Sequence, residues 1–175
     1  MKTILSDKLT KTCDDETFLS LNKELIETGN SVRFRVRGES MHPFLRNNDL
    51  VEVTGVHVSR IRVGDVIFFK NISGKAVIHR VVVVNRNKDI LLLKGDHNHY
   101  LDAPVKREQI LGRVIAVKTK NRTIRLDTTF SHFKNFFLAK LLLMGRWFLP
   151  FLKKTKKVTF RIYRFKETFF SIFGR

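Results

Sequence analysis

Between residues 31 and 118 the apolar positions fall into short runs closed by turn-forming residues. In the first run Val32, Phe34 and Val36 alternate with Arg33, Arg35 and Arg37, the period of two expected of a strand with one buried face. Further runs cover Asp49 to Thr54, Asp65 to Lys70, Ala76 to Val84, Ile90 to Lys94 and Leu111 to Lys118. Between them lie Asn47-Asn48, Gly64-Asp65, Asn71 to Gly74, Asn85 to Asp89 and Gly95 to Asn98. The pattern predicts a mainly β, mostly antiparallel domain over residues 31–127. Ahead of it, residues 1–30 form an extension with a helix predicted over 14–29. Asp14 or Asp15 can cap that helix, Gly29 can end it, and Phe18, Leu21, Leu25 and Ile26 share one face. A single short helix of this kind is not a DNA-reading helix-turn-helix.

Residues 128–175 follow a different pattern. Phe136 to Leu152 is apolar for 17 residues but contains Lys140, Gly145, Arg146 and Pro150. A membrane-spanning helix needs about 20 mostly apolar residues, and a central Lys or Arg costs roughly 2.5–3.5 kcal/mol on insertion. A short re-entrant or protein-packed helix is expected instead. From Lys156 to Phe173, helical spacing puts Val158, Ile162, Phe165, Phe169 and Ile172 on one face, with Lys156, Lys157, Arg161, Arg164 and Thr168 on the other. Such a helix suits a membrane interface. A helix packed on the core is the competing reading, and Val158, Phe160 and Ile162 also alternate as in a strand.

Charge sharpens this picture. The chain holds 34 Lys and Arg against 16 Asp and Glu, and residues 130–175 hold 11 of the former with Glu167 as their one acid. Eleven of the 16 Phe lie in the same segment. Basic and aromatic residues together favour an anionic membrane surface as partner, through residues 136–173. Nucleic acid is disfavoured because no recognition module accompanies the charge. Cys13 is the single cysteine, which excludes an internal disulfide framework and a cysteine-rich zinc site. No secretory signal peptide is visible. The expectation is a membrane-associated protein whose active site faces the cytoplasm by default.

Candidate chemistry centres on Gly38-Glu39-Ser40-Met41-His42-Pro43. Glycine permits positive φ and proline restrains the exit, so the turn can hold the Ser40 hydroxyl in one orientation. A serine hydroxyl needs an adjacent base, and an orienter for that base sharpens it. His42, His57, His79, His97, His99, Lys70 and Lys75 are the base candidates. His79 stands out because Ala76 to Val82 is otherwise apolar apart from Arg80, and leaving a buried polar ring unpaired costs roughly 1–3 kcal/mol. A satisfied structural histidine is the alternative. Asp96 and Asp102, in the turn-rich segment from Lys94, can each reach an imidazole. His97-Asn98-His99 has no further clustered ligands to complete a metal site; no metal or cofactor is expected.

These stretches carry a resemblance. Gly38 to Pro43, Val63-Gly64-Asp65-Val66-Ile67-Phe68-Phe69, Ile78-His79-Arg80-Val81, Lys94-Gly95-Asp96-His97-Asn98 with Asp102, and Leu111-Gly112-Arg113-Val114 follow in an order similar to the type I signal peptidase family. The resemblance covers residues 32 to 117 and is to the branch with a histidine base, found in the endoplasmic reticulum, archaea and some sporulating bacteria. It implies a signal peptidase/LexA-like β domain and a serine endopeptidase that cleaves signal or leader peptides after small residues. By the same resemblance Ser40 is the acylating nucleophile, His79 the general base and Asp102 its orienter. Asp96 supports the site and is the other candidate for the third position. The Ser40 N–H is the implied oxyanion donor; Gly38 stands where many bacterial relatives place a second, hydroxyl donor. Gly64 and Asp65 are expected to hold a turn. The family normally carries a transmembrane anchor ahead of the serine box, and none is seen here. Self-cleaving repressors of the LexA type share the β fold but use lysine and cut after alanine ahead of the domain. The first alanine here is Ala76 and no DNA-binding domain precedes, so that reading is set aside. A non-catalytic peptide-binding module of the same fold, which predicts a missing catalytic member, and a peripheral leader peptidase for small secreted peptides are the alternatives.

Overall fold

The alternation at the start of the domain produces strand β2, Ser31–Arg35, with Val32 and Phe34 buried and Arg35 exposed. The computed structural model describes residues 3–5 (backbone only), 14–120, 122–128 and 135–140. In chain order its elements are β1 (Thr3–Leu5), α1 (Asp15–Glu27), β2, β3 (Leu50–Thr54), β4 (Val66–Lys70), β5 (Ala76–Asn85), β6 (Ile90–Lys94), β7 (Val105–Lys106), β8 (Ile110–Lys118) and β9 (Thr123–Arg125). Single 3₁₀ turns cover Val58–Arg60 and Arg107–Gln109. The fold is mainly β, as expected, and the longer strands begin and end within two residues of the apolar runs.

The strands form one sheet in the order β1-β2-β3-β8-β4-β5-β6-β7, with β9 added to β8. All pairings are antiparallel except β1 with β2. Val66 to Phe69 of β4 is a continuous apolar run, and all four residues are buried because β4 lies between β8 and β5 with apolar packing on both faces. Burying an aromatic side chain such as Phe68 or Phe69 contributes about 1.5–3 kcal/mol. β1, β7 and β9 are two or three residues long. Segments that short carry no readable period, and pairing with a longer neighbour is what makes them strands.

Asp14 caps α1, its side chain accepting the Thr17 N–H at 3.3 Å, and Gly29 ends the helix at φ +83°. The buried face holds three of the four expected residues, Phe18, Leu25 and Ile26, and adds Leu19 and Asn22 in place of Leu21. Leu19, Asn22 and Ile26 are buried, flanked by Phe18 and Leu25, while Leu21 is half-buried outside the main cluster. Asn22 hides the stripe in the sequence because it is polar; its Nδ2 donates to the Phe18 carbonyl at 2.7 Å. Phe18 then meets Phe34 edge-on at 5.2 Å and Phe68 at 6.2 Å, a geometry aromatic pairs favour.

Residues 135–140 are helical and place Ala139 against Val82 and Leu92. The start of this helix lies against Gly64, where a Cβ would sit 2.6 Å from the Asn135 and Phe136 backbone. The remainder of the apolar stretch Phe136 to Leu152, the helix expected over Lys156 to Phe173, and Cys13 lie outside the described residues. Among the described residues no helix is long and apolar enough to cross a membrane.

Candidate active site

Beyond β2 the chain runs on in extended form, Val36 N–H donating to the Asp49 carbonyl at 2.9 Å and Val36 C=O accepting from Asn48 N–H at 2.9 Å. Gly38 then turns it at φ +90°, a conformation in which a side chain would be strained although space is open there. The turn is stapled by His42 N–H to Glu39 C=O at 3.0 Å and anchored by buried Met41 and Leu45. Ser40 is thereby held at the sheet end, with its side chain toward β5. Its backbone N–H has no acceptor among the described residues.

His79 pairs with Ile67 across β5 and β4 and is only 5 % exposed, its ring 6.1 Å from that of Phe69. Both nitrogens have partners. Nε2 lies 3.0 Å from Ser40 Oγ and Nδ1 lies 2.6 Å from Asp102 Oδ2. With Nδ1–H donating to the carboxylate, Nε2 accepts the serine O–H; the network assigns this tautomer. Asp102 is set by its own N–H, which donates to the Leu93 carbonyl at 2.9 Å. Three side chains far apart in sequence therefore form one hydrogen-bonded line.

Asp96, expected as a supporting residue, does not take the third position that was its alternative. It does not face His79 but pairs side-on with Arg80, at 2.9 Å from Nε and 2.7 Å from Nη2. Arg80 also donates to the Gly64 carbonyl at 3.1 Å and lies 4.6 Å over the Phe44 ring. It is fully buried, which makes this paired fork the polar centre of the region behind the site. Sequence reasoning gave Arg80 no role. An arginine amid a valine run was the signal, since such a charge is buried only when paired.

A family model described as Peptidase S24-like matches residues 7–115, a span that includes Gly38, Ser40, His79, Arg80, Asp96 and Asp102. The chain belongs to the Peptidase S24-like family. No curated protein and no solved structure matches it. Membership supports a serine-peptidase-like hydrolase of the LexA/signal peptidase-like class. The signal peptidase branch is a finer reading than the match carries.

In this S24-like domain Gly64 and Asp65 hold a turn, Gly64 at φ +99° donating to the Val81 carbonyl and Asp65 Oδ2 accepting from Arg62 N–H, each bond closing the entry to β4. Gly95 does something sequence reasoning did not isolate. A Cβ there would lie 2.5 Å from the Ser40 carbonyl oxygen and 2.7 Å from Asn98 Nδ2. Only glycine lets this loop approach, and His97 N–H then grips the Ser40 carbonyl at 2.9 Å. His97 also meets the His42 ring edge-on at 6.0 Å. Among the described residues no three His, Cys, Asp or Glu side chains are grouped to hold a metal.

A cleft of about 390 Å³ opens beside Ser40 and His79. One wall is the extension of β2 and the other is the start of β5. Val32 and Phe34 pair with β3 and Val36 bonds to Asp49 and Asn48 beyond it, so this wall of the cleft is held to β3. Val81 bonds both ways with the Gly64-Asp65 segment beside β4. By the same alternation Ala76 and Ile78 point away from β4, and β6 reaches back only to Arg80. A strand edge at Ala76 and Ile78 thus lies beside the Ser40 hydroxyl.

Proposed function

We propose that this protein is a serine endopeptidase that cleaves signal or leader peptides after small residues through an acyl-enzyme on Ser40. The observation that carries the reading is the unbroken line Ser40 Oγ–His79–Asp102, with contacts of 3.0 and 2.6 Å. An extended peptide enters the cleft and adds as a strand, its main chain bonding to the edge at Ala76 and Ile78. Ser40 Oγ attacks the scissile carbonyl carbon while His79 Nε2 takes the hydroxyl proton, and Asp102 holds the ring and stabilises the imidazolium. The Ser40 N–H donates to the developing oxyanion. His79 gives its proton to the departing amine, and water then releases the acyl group by the same route. Gly38 offers no side-chain hydroxyl to the oxyanion.

Presence of all three members favours an enzyme over a non-catalytic peptide binder of the same fold. Family membership brings a self-cleaving reaction of the LexA-like kind back beside cleavage of a separate peptide. A fluorophosphonate is expected to label Ser40, located by peptide mass spectrometry, and the protein to cut a peptide carrying Ala-x-Ala. Absence of a Ser40 adduct in folded protein sinks the peptidase reading. First-order loss of the chain itself at a rate independent of its concentration would replace the separate substrate with self-cleavage.

The basic, Phe-rich segment 128–175 supports an anionic membrane surface as the setting, because each Lys or Arg near such a surface contributes about 1 kcal/mol. The full chain is expected to float with phosphatidylserine vesicles and not with phosphatidylcholine vesicles at low salt. Equal recovery with both would remove the electrostatic attachment.

A further inference from the structure

The cleft has a third wall that is not part of the sheet. Phe18 of α1 lines it together with Phe34 and Phe68 from the sheet and Met41 and Ile78 beside the catalytic pair. Phe18 is half-buried. Its ring stands on the Phe34 and Phe68 rings at 5.2 and 6.2 Å, and it also borders the cleft. The helix is anchored independently of that ring, since Leu19 and Ile26 are in the core and Ile26 packs beside Gly55, where a Cβ would lie 3.3 Å away.

We propose that α1 is a specificity wall of the peptide cleft and that Phe18 sets the size of the substrate side chain accepted there. This rests on the peptidase reading for its substrate class. Side chains two residues apart on an extended peptide face the same way, so the last residue before the cut and the one two before it present their side chains together. The aromatic floor of Phe34 and Phe68 receives them, and the Phe18 ring limits the depth from the helix side. Small residues are then preferred because an added ring or isobutyl group meets Phe18, not because the sheet itself lacks room.

The test uses the full chain carrying Ser40→Ala, so binding is read without turnover, with fluorescent decapeptides ending in Ala, Val, Leu or Phe at either of those two positions. Phe18→Ala is expected to strengthen binding of the Leu or Phe peptides about tenfold relative to the Ala peptide, the scale of one methylene-sized change in an apolar pocket. Phe18→Trp is expected to weaken the Val peptide while retaining the Ala peptide. The same ranking in all three proteins, with the Ala peptide still bound, overturns the proposal, as does failure of every peptide to bind. Phosphonate labelling of the protein with Ser40 intact is run in parallel. A ranking that moves with Phe18 in a protein that never labels would keep the wall and remove the peptidase reading.

Discussion

Ser40→Ala and His79→Ala are each expected to lower kcat for peptide cleavage by about 10⁴–10⁶-fold, leaving only the residue due to binding and oxyanion stabilisation. Neither group can act alone. Without His79, Ser40 Oγ loses the base at 3.0 Å and stays a protonated alcohol. Without Ser40 the imidazole has no hydroxyl to activate. The double variant is expected to be no slower than either single one, because the two act as a unit. Asp102→Asn keeps the shape but can donate to Nδ1, favouring the tautomer whose Nε2–H points at Ser40; a loss of about 10⁴ is expected. Steady-state kinetics on the proposed peptide substrate check all four proteins, with the thermal midpoint of Ser40→Ala matched to the parent to exclude unfolding. Turnover within tenfold of the parent in either single variant would remove the assignment.

The second large effect concerns stability. Arg80→Met is expected to cost about 3–5 kcal/mol, because it strands the Asp96 carboxylate without its fork. The side chains of this pair are 0 % and 4 % exposed, so water does not make up the loss. Arg80→Lys is not conservative here. A single ammonium cannot reproduce both bonds to Asp96 together with the Gly64 contact and the stacking on Phe44. Arg80→Met combined with Asp96→Leu is expected to recover much of the stability, since removing both partners leaves no buried charge. Urea unfolding followed by two coincident probes measures each. A cost below about 1 kcal/mol for Arg80→Met would show that the pair is not what holds Gly64 and the Gly95 loop in place.

Much of the β domain was legible because each long strand has one face or both against apolar packing, so alternation or a continuous run survives in the sequence. Val32 and Phe34 report the first case and Val66 to Phe69 the second. A turn with glycine before and proline after, and a polar ring in a valine run, made Ser40 and His79 candidates only; their roles came from the resemblance. α1 and most of its buried face, Phe18, Leu25 and Ile26, were legible too, but Leu19 and Asn22 were not. A stripe centred on Leu19 and Ile26 passes through Asn22, which burial hides from a search for apolar positions alone. β1, β7 and β9 were missed because two or three residues cannot display a period.

What the sequence determined by itself is local: strands from alternation, a helix from its cap and spacing, a serine in a constrained turn, and two aspartates within reach of an imidazole. The resemblance named Asp102 as the orienter, and only the tertiary structure gives the physical reason the two aspartates part. Asp102 meets His79 because its N–H is tied to β6, while Asp96, six residues earlier, turns to Arg80 behind the site. It also decided that Gly95 must lack a side chain and that Phe18 borders the cleft. Each of these depends on where separate elements cross, a property of packing in three dimensions that no window along the chain contains.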